Sequence, residues 1–369
     1  MRILEVCVDL DGGGIDRYLL NYCSRIRDIQ FDFAIVENNK TGILEKEIEA
    51  LGSRIYRVPR QSQGIRANYH ALKKILTQTQ YDAVHVHLGY RGALALLCAK
   101  NCGIKTRIVH AHIAYETEGF VRKCVRKVFT VITKTLATHL AACGVEAGKW
   151  VWGASAYNSG KVKIHNNAID TQKFRFRENL RQQKRRELGL GENTVAVGHV
   201  GRICAQKNQS RLIDIFAQMH QMRPDSRLFI IGRGDSEKAL LQKVRSLGLE
   251  DHVQFMGVRS DVHELLNAFD VFVFPSLYEG LPFTLIETQC NGLPAICSDT
   301  VTSLVKVGSF VRFMGLEATN QEWAVCALEV VSRENAADAW QDVVAEGYDI
   351  DTEARVLEEY YKNSAGSVK

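Results

Sequence analysis

Two cations and two carboxylates at short spacings are the residues of this chain best suited to chemistry. The segment Phe274–Gly292, FPSLYEGLPFTLIETQCNG, reads as a buried strand ending at Phe274, a polar turn, and a helix starting near Pro282. Proline fits a first helical turn because its missing N–H would be unpaired there. The N–H groups of Gly280, Leu281, Phe283 and Thr284 then point out of the helix start, where the helix dipole favours an anion such as a diphosphate. Glu279 lies at the mouth of that site and Glu287 eight residues on, inside the helix. Carboxylates beside a phosphate pocket suit sugar hydroxyls, on a ribose and on a transferred sugar. The plainer reading is a helix-start Glu followed by a second one on a wet face.

In Gly198–Asn208, GHVGRICAQKN, a strand ends at Gly201, and Arg202 and Lys207 follow in a loop. A planar guanidinium fork and a compact ammonium together neutralise a diphosphate. They act most on a nucleoside diphosphate that gains charge as it leaves. Two solvated loop cations are the competing reading.

Two further clusters lie in the first half. In VDLDGGGIDRY a strand runs into Gly12, Gly13 and Gly14 and then a helix, which lets a backbone approach a ligand closely. The spacing is not that of a dinucleotide fingerprint, because Arg17 stands where the third glycine would be. Asp9-Leu10-Asp11 resembles a metal-binding acidic triplet, but its place closing the first strand argues against a metal. His85-Val-His87 and His110-Ala-His112 sit at strand ends; residues two apart face the same way, so each pair could chelate a metal. With no carboxylate or cysteine at convincing spacing, contact with substrate hydroxyls is the better functional reading, above all for His110 and His112. For any single one, a hydrogen-bonded strand-end histidine is the bland alternative.

These segments need elements to hold them. Short β-branched runs alternate with helical-period runs: strands near 3–8, 33–36, 54–58, 83–87, 106–110 and 162–165, then 195–200, 227–231, 253–256, 271–274 and 294–297. Helices over 15–27, 67–78, 121–136, 209–222 and 237–247 fill gaps between them. The alternation predicts an α/β protein with parallel sheets covered on both faces. The pattern breaks once, in the polar Arg/Lys-rich stretch after Asp170. The expected domains are therefore 1–170, a linker 171–192, a second domain 193–346 and a tail 347–369. Two doubly wound domains would bind ligands at the carboxyl ends of their strands, in a cleft between them.

At 369 residues and 46% hydrophobic, the chain can bury two cores. Net charge is only +5, but acidic residues are missing from 50–81 and 119–145, where Arg and Lys cluster. The amphipathic VRKCVRKVFTVITKTL could lie on an anionic bilayer, with a solvated basic face as the alternative. The ten cysteines lack paired spacing, which predicts reduced, mostly buried thiols in a cytosolic protein. Glu5 and Asp9 in the first apolar run exclude a signal peptide, and no run reaches transmembrane length.

Together the segments resemble the GT-B glycosyltransferases of family 4, retaining enzymes of bacterial polysaccharide assembly, over nearly the whole chain. GRICAQKN and the Glu279–Glu287 pair carry the resemblance most specifically. GGGIDRYLLNY, RIVHAH, AACGVEAGKWVWG and KIHNNAID are similar to its first-domain segments, with departures at Asp16, Gly144 and Ala168. The resemblance implies two Rossmann-like doubly wound domains facing a cleft, with a final helix crossing back to the first. By position, Arg202 and Lys207 would hold the donor diphosphate, and Glu287 the ribose. Glu279 would contact the donor sugar, aided by Gly280, Leu281, Pro282 and Phe283. Gly12–Gly14 would line the phosphates, and His110 or His112 would stand by the reacting sugar. Gly232 and Arg259 would border the base. No cofactor or metal is implied. The expected activity is hexosyl or N-acetylhexosaminyl transfer from a nucleotide sugar, with uracil the base by family habit and guanine the alternative. The acceptor is a glycan or polyprenyl-diphosphate-linked glycan at the inner face of the cytoplasmic membrane. The rivals are a nucleotide-sugar epimerase or phosphorylase on the same scaffold and an inactive donor-binding subunit. A dinucleotide oxidoreductase fails on glycine spacing, and nucleic-acid binding lacks an aromatic platform.

Overall fold

The computed structural model describes residues 1–37, 41–112 and 119–366. The chain forms two compact units: Met1–Ala168 with Ile350–Lys369, and Ile169–Asp349.

The first unit holds seven strands: β1 Arg2–Val6, β2 Gln30–Val36, β3 Ile55–Val58, β4 Ala83–Val86, β5 Thr106–Ala111, β6 His139–Ala142 and β7 Val162–Ile164. All pair in parallel, in the order β3-β2-β1-β4-β5-β6-β7. The second holds β8 Val195–Val200, β9 Ser226–Ile231, β10 Val253–Gly257, β11 Val271–Phe274, β12 Ala295–Ser298 and β13 Val311–Met314, also parallel, in the order β10-β9-β8-β11-β12-β13. Central strands such as β11 (VFVF) and β12 (AICS) are buried throughout, as a parallel sheet covered on both faces requires.

In each sheet the order reverses once, between β1 and β4 and between β8 and β11. Loops leaving the carboxyl ends of these neighbours diverge to opposite faces and open a crevice. Every cluster singled out above except Arg259 leaves one of these strands or an immediate neighbour.

The polar stretch after Asp170 is not an open linker. It contains the helices Thr171–Phe174 and Glu178–Glu187. Arg181 and Arg185 of the second reach Asp270 at 2.5 and 2.9 Å, and Asp270 also accepts the Ala196 N–H at 2.7 Å. Three donors on one buried carboxylate tie this helix to β8 and β11. Two strands were not foreseen. HLAA of β6 is too short and small to stand out, and VRFM of β13 is a four-residue run whose apolar pattern is interrupted by Arg312. All ten cysteines are free thiols, and only Cys124 is exposed.

Candidate functional site

In the second unit, β8 delivers its ladder to Gly201, whose N–H bonds to Ile231 O at 2.9 Å. Arg202 turns out to solvent, whereas Ile203 is buried and anchors the loop. Gln209 closes the loop from beneath, accepting from Cys204 N at 3.3 Å and donating to Arg202 O at 2.9 Å. Asn208 takes a left-handed conformation (φ 55°) that starts the helix Gln209–Met222, and its side chain donates to Pro275 O at 3.1 Å. Gln206 O accepts from Leu277 N at 2.8 Å, and Gln206 Nε2 donates to Tyr278 O at 2.9 Å. The loops after β8 and β11 are thereby zipped together.

That zipper sets the charges. Lys207 Nζ lies 2.7 Å from Glu279 Oε1 and 4.6 Å from the centre of the Phe274 ring. The ammonium is therefore fixed on an aromatic face before any ligand arrives. Arg202, the other cation of the loop, makes no ion pair with a described residue and is free to meet an anion. Pro282 caps the helix Phe283–Cys290 from outside rather than forming its first turn. Every residue of that helix except Thr284 is buried, Glu287 included at 7% exposure. Glu287 therefore does not sit on a wet face.

Gly232 follows β9 with φ 137°, and a Cβ there would stand 2.0 Å from the Gly201 carbonyl oxygen. Only glycine lets these two loops pass. Arg259, after β10, grips Asp261 with two bonds of 2.8 and 2.7 Å, holding the Asp261 carboxyl down at about 2. The structure thus brings Arg202, Lys207, Glu279, Gly280, Leu281, Pro282 and Phe283 together on the loops after β8 and β11, with Gly232 against them. Arg259 belongs to a separate charged group that includes Lys184, 2.7 Å from Glu264.

In the first unit, Gly12 has φ 88° in the loop after β1. Gly13 N–H donates to Asp16 Oδ2 at 2.9 Å, so Asp16 closes the start of the helix Gly14–Cys23. Burial pushes the Asp16 carboxyl up to about 7, against the pull of that N–H.

The histidine pairs form one buried network with a carboxylate that sequence reasoning passed over. Glu5, on β1, is 1% exposed. Its Oε2 lies 2.7 Å from His87 Nε2, and its Oε1 accepts from the Tyr361 hydroxyl at 3.1 Å. His87 Nδ1 lies 2.8 Å from His112 Nε2. His85 Nδ1 lies 2.6 Å from the Tyr361 oxygen, and His85 Nε2 lies 3.3 Å from His110 Nδ1. Burial raises Glu5 to about 8 and lowers His87 to about 3. His110 is fully buried and stacks on His112, whereas His112, beyond the end of β5, is partly exposed. Of this pair, His112 is the one placed to meet a ligand. One ring nitrogen each from His85, His87 and His110 comes within 4.8 Å of the others, a spacing a metal ion could use. Both nitrogens of His85 and of His87 are already engaged, so a metal would have to displace those bonds. Glu5 was legible as a charge inside an apolar strand. Nothing in the sequence pointed Tyr361 at it.

Comparison with known proteins decides the family. Residues 12–173 match the model described as Glycosyltransferase Family 4, and residues 181–310 that described as Glycosyl transferases group 1. A Bacillus subtilis protein named as glycosyltransferase EpsF is 30% identical over 343 residues, 91% of this chain and 88% of its own. This chain belongs to glycosyltransferase family 4. The family 4 enzyme is also 30% identical, over 235 residues, to an Escherichia coli protein, covering 62% of this chain and 60% of the other. That relative is named UDP-Gal:alpha-D-GlcNAc-diphosphoundecaprenol alpha-1,3-galactosyltransferase. The fold of this chain matches the GT-B crystal structure of Anabaena Alr3699/HepE in complex with UDP, with a TM-score of 0.81 at 19% identity. That match covers 98% of this chain and 100% of the other.

Proposed function

We propose that this glycosyltransferase moves a hexosyl or N-acetylhexosaminyl group from a UDP-sugar to a lipid-linked glycan in bacterial polysaccharide assembly, with retention at the anomeric carbon. The observation that carries the donor half is the Lys207–Glu279 pair, held at 2.7 Å with Lys207 on the same loop as Arg202, which pairs with no described carboxylate, at the switch point of the second sheet. Arg202 and Lys207 receive the diphosphate with backbone N–H groups of Gly280 and Phe283 beside them. Glu279 contacts the donor sugar and Glu287 the ribose. In the first unit, Gly12–Gly14 are assigned to phosphate contact and His112 to the reacting sugar. The UDP bound by HepE and the lipid diphosphate in the name of the Escherichia coli relative support the substrate classes.

The cations stabilise the leaving diphosphate as charge develops on it, without a metal. In retention, leaving group and incoming hydroxyl use one face of the sugar. The leaving phosphate oxygen then takes the acceptor proton while the cations and helix N–H groups hold its charge.

A peripheral site on the inner membrane face goes with a lipid acceptor. No described helix is long and apolar enough to cross a membrane. The helix Phe120–Leu136 instead leaves Phe120, Val121, Val128 and Val131 more than half exposed among Arg122, Lys123, Arg126 and Lys127, and buries only Thr133. Apolar anchors flanked by cations suit anionic headgroups.

A thermal-shift panel of UDP, GDP, ADP and their sugars, with and without EDTA, tests the donor reading. The expected result is stabilisation by uridine nucleotides, unaltered by EDTA; no shift with any nucleotide overturns it. Sedimentation with anionic vesicles at low salt tests the membrane reading, and the protein staying in the supernatant removes it.

A further inference from the structure

The network around Glu5 is more than a set of satisfied polar groups. Glu5, His87 and His112 form a chain, carboxyl to imidazole to imidazole, with links of 2.7 and 2.8 Å, while His85 Nδ1 stands further from the same Glu5 oxygen, at 3.5 Å. Each imidazole uses both nitrogens along the chain until His112, whose Nδ1 has no hydrogen bond to a described residue. A neutral imidazole carries one proton. The direction of the first hydrogen bond therefore fixes the direction of the second.

We propose that Glu5 is a positioning residue that acts through His87 to set which ring nitrogen of His112 carries the proton. A protonated Glu5 donates to His87 Nε2, so His87 Nδ1–H donates to His112 Nε2, and His112 presents Nδ1–H as a donor. An ionised Glu5 accepts from His87 Nε2–H, so His87 Nδ1 accepts from His112 Nε2–H, and His112 presents a bare Nδ1 as an acceptor. One proton leaves Glu5 and two imidazoles change tautomer; no charge settles on either ring.

The surroundings leave Glu5 as the group that titrates. Facing it are Cys7 just past the end of its own strand, Tyr18 and Cys23 from the helix Gly14–Cys23, His85 from β4 and His87 just after it, His110 from β5 and His112 beyond its end, and Tyr361 from the final helix. Burial raises both thiols and both phenols well above their usual values. It lowers all four imidazoles. All are therefore neutral at pH 7, while Glu5, raised to about 8, is protonated there and loses its proton on mild alkalinisation. The Tyr361 hydroxyl, donating to Glu5 Oε1, holds the carboxyl so that Oε2 addresses His87.

The significance for catalysis rests on the proposed role of His112; the tautomer relay does not. Nitrogen-15 NMR of histidine-labelled full-length protein, without substrate, reads the tautomer of each ring directly. Wild type should show His112 protonated on Nδ1 at pH 7 and on Nε2 above about pH 8. Glu5→Gln, whose amide donates as the neutral acid does, should keep the Nδ1–H form at both. Tyr361→Phe removes the competing donor and should move the switch to higher pH, a second readout if Glu5→Gln folds poorly. An Nε2–H tautomer of His112 at pH 7, or the same switch in wild type and Glu5→Gln, overturns the relay. If the relay holds but the alkaline limb of kcat/KM is the same in both proteins, the assignment of His112 to the reacting sugar fails instead.

Discussion

Lys207→Met isolates what the ammonium of Lys207 does, because methionine keeps an apolar stem of similar length beside Gly201. The pair with Glu279 is largely shielded, with side-chain exposures of 16% and 9%. Removing one member of a buried pair costs about 3–5 kcal/mol, because the other is left without a partner. The residual exposure puts this site at the lower end, about 3 kcal/mol. For a unit of this size that is a fall of about 6–12 °C in Tm, read by calorimetry. Lys207→Met/Glu279→Gln removes the stranded carboxylate and should recover most of the loss. Activity should not follow. Losing a charge aimed at the leaving group lowers kcat by about 100- to 1000-fold, and the double variant should stay there. A single variant as stable as wild type would show that the ion pair contributes nothing. A double variant that regained turnover would refute the role of Lys207 in the transition state.

Gly232→Ala should destabilise by about 3 kcal/mol or more, since positive-φ strain adds to a backbone collision; urea unfolding measures this, and wild-type stability would contradict the close approach to Gly201. Asp270→Ala should cost about 3–5 kcal/mol by stranding Arg181 and Arg185; a change under about 1 kcal/mol would mean the helix Glu178–Glu187 is held otherwise. His165 is buried, with neither ring nitrogen bonded to a described residue, and burial lowers its pKa to about 4. Its folded pKa is depressed, so the stability linked to its neutral form is present above about pH 6.5 and lost as pH falls toward 4. That amounts to about 3 kcal/mol. His165→Leu should flatten the acid limb of Tm against pH over that window, and an unchanged limb would assign acid sensitivity to other groups.

The alternation of runs was enough to read parallel sheets, and the helix 209–222 was legible to the residue because its stripe is unbroken. That Arg202 and Glu279 lie on loops was legible because they fall just after strand ends, where any chain must turn. Tertiary pairing was not. Arg181 and Arg185 look solvated until Asp270, far along the chain, is folded against them. The His85 and His87 motif appeared to lack a carboxylate, because proximity in a parallel sheet is set by strand order rather than by sequence. Arg259 shows the converse: a lone basic residue in sequence, it is spent on Asp261 two positions away.

Tyr361 reaches Glu5 across a separation of 356 residues. The second unit is one continuous stretch of chain, whereas the first needs its last helix to complete the surroundings of its own first strand. Completion therefore runs against chain order: every residue of the second unit precedes the helix on which the first still depends for the Tyr361 bond to Glu5. A chain cut at Asp349 would keep every residue of the second unit and leave the first without its closing helix, exposed to chaperones and proteases.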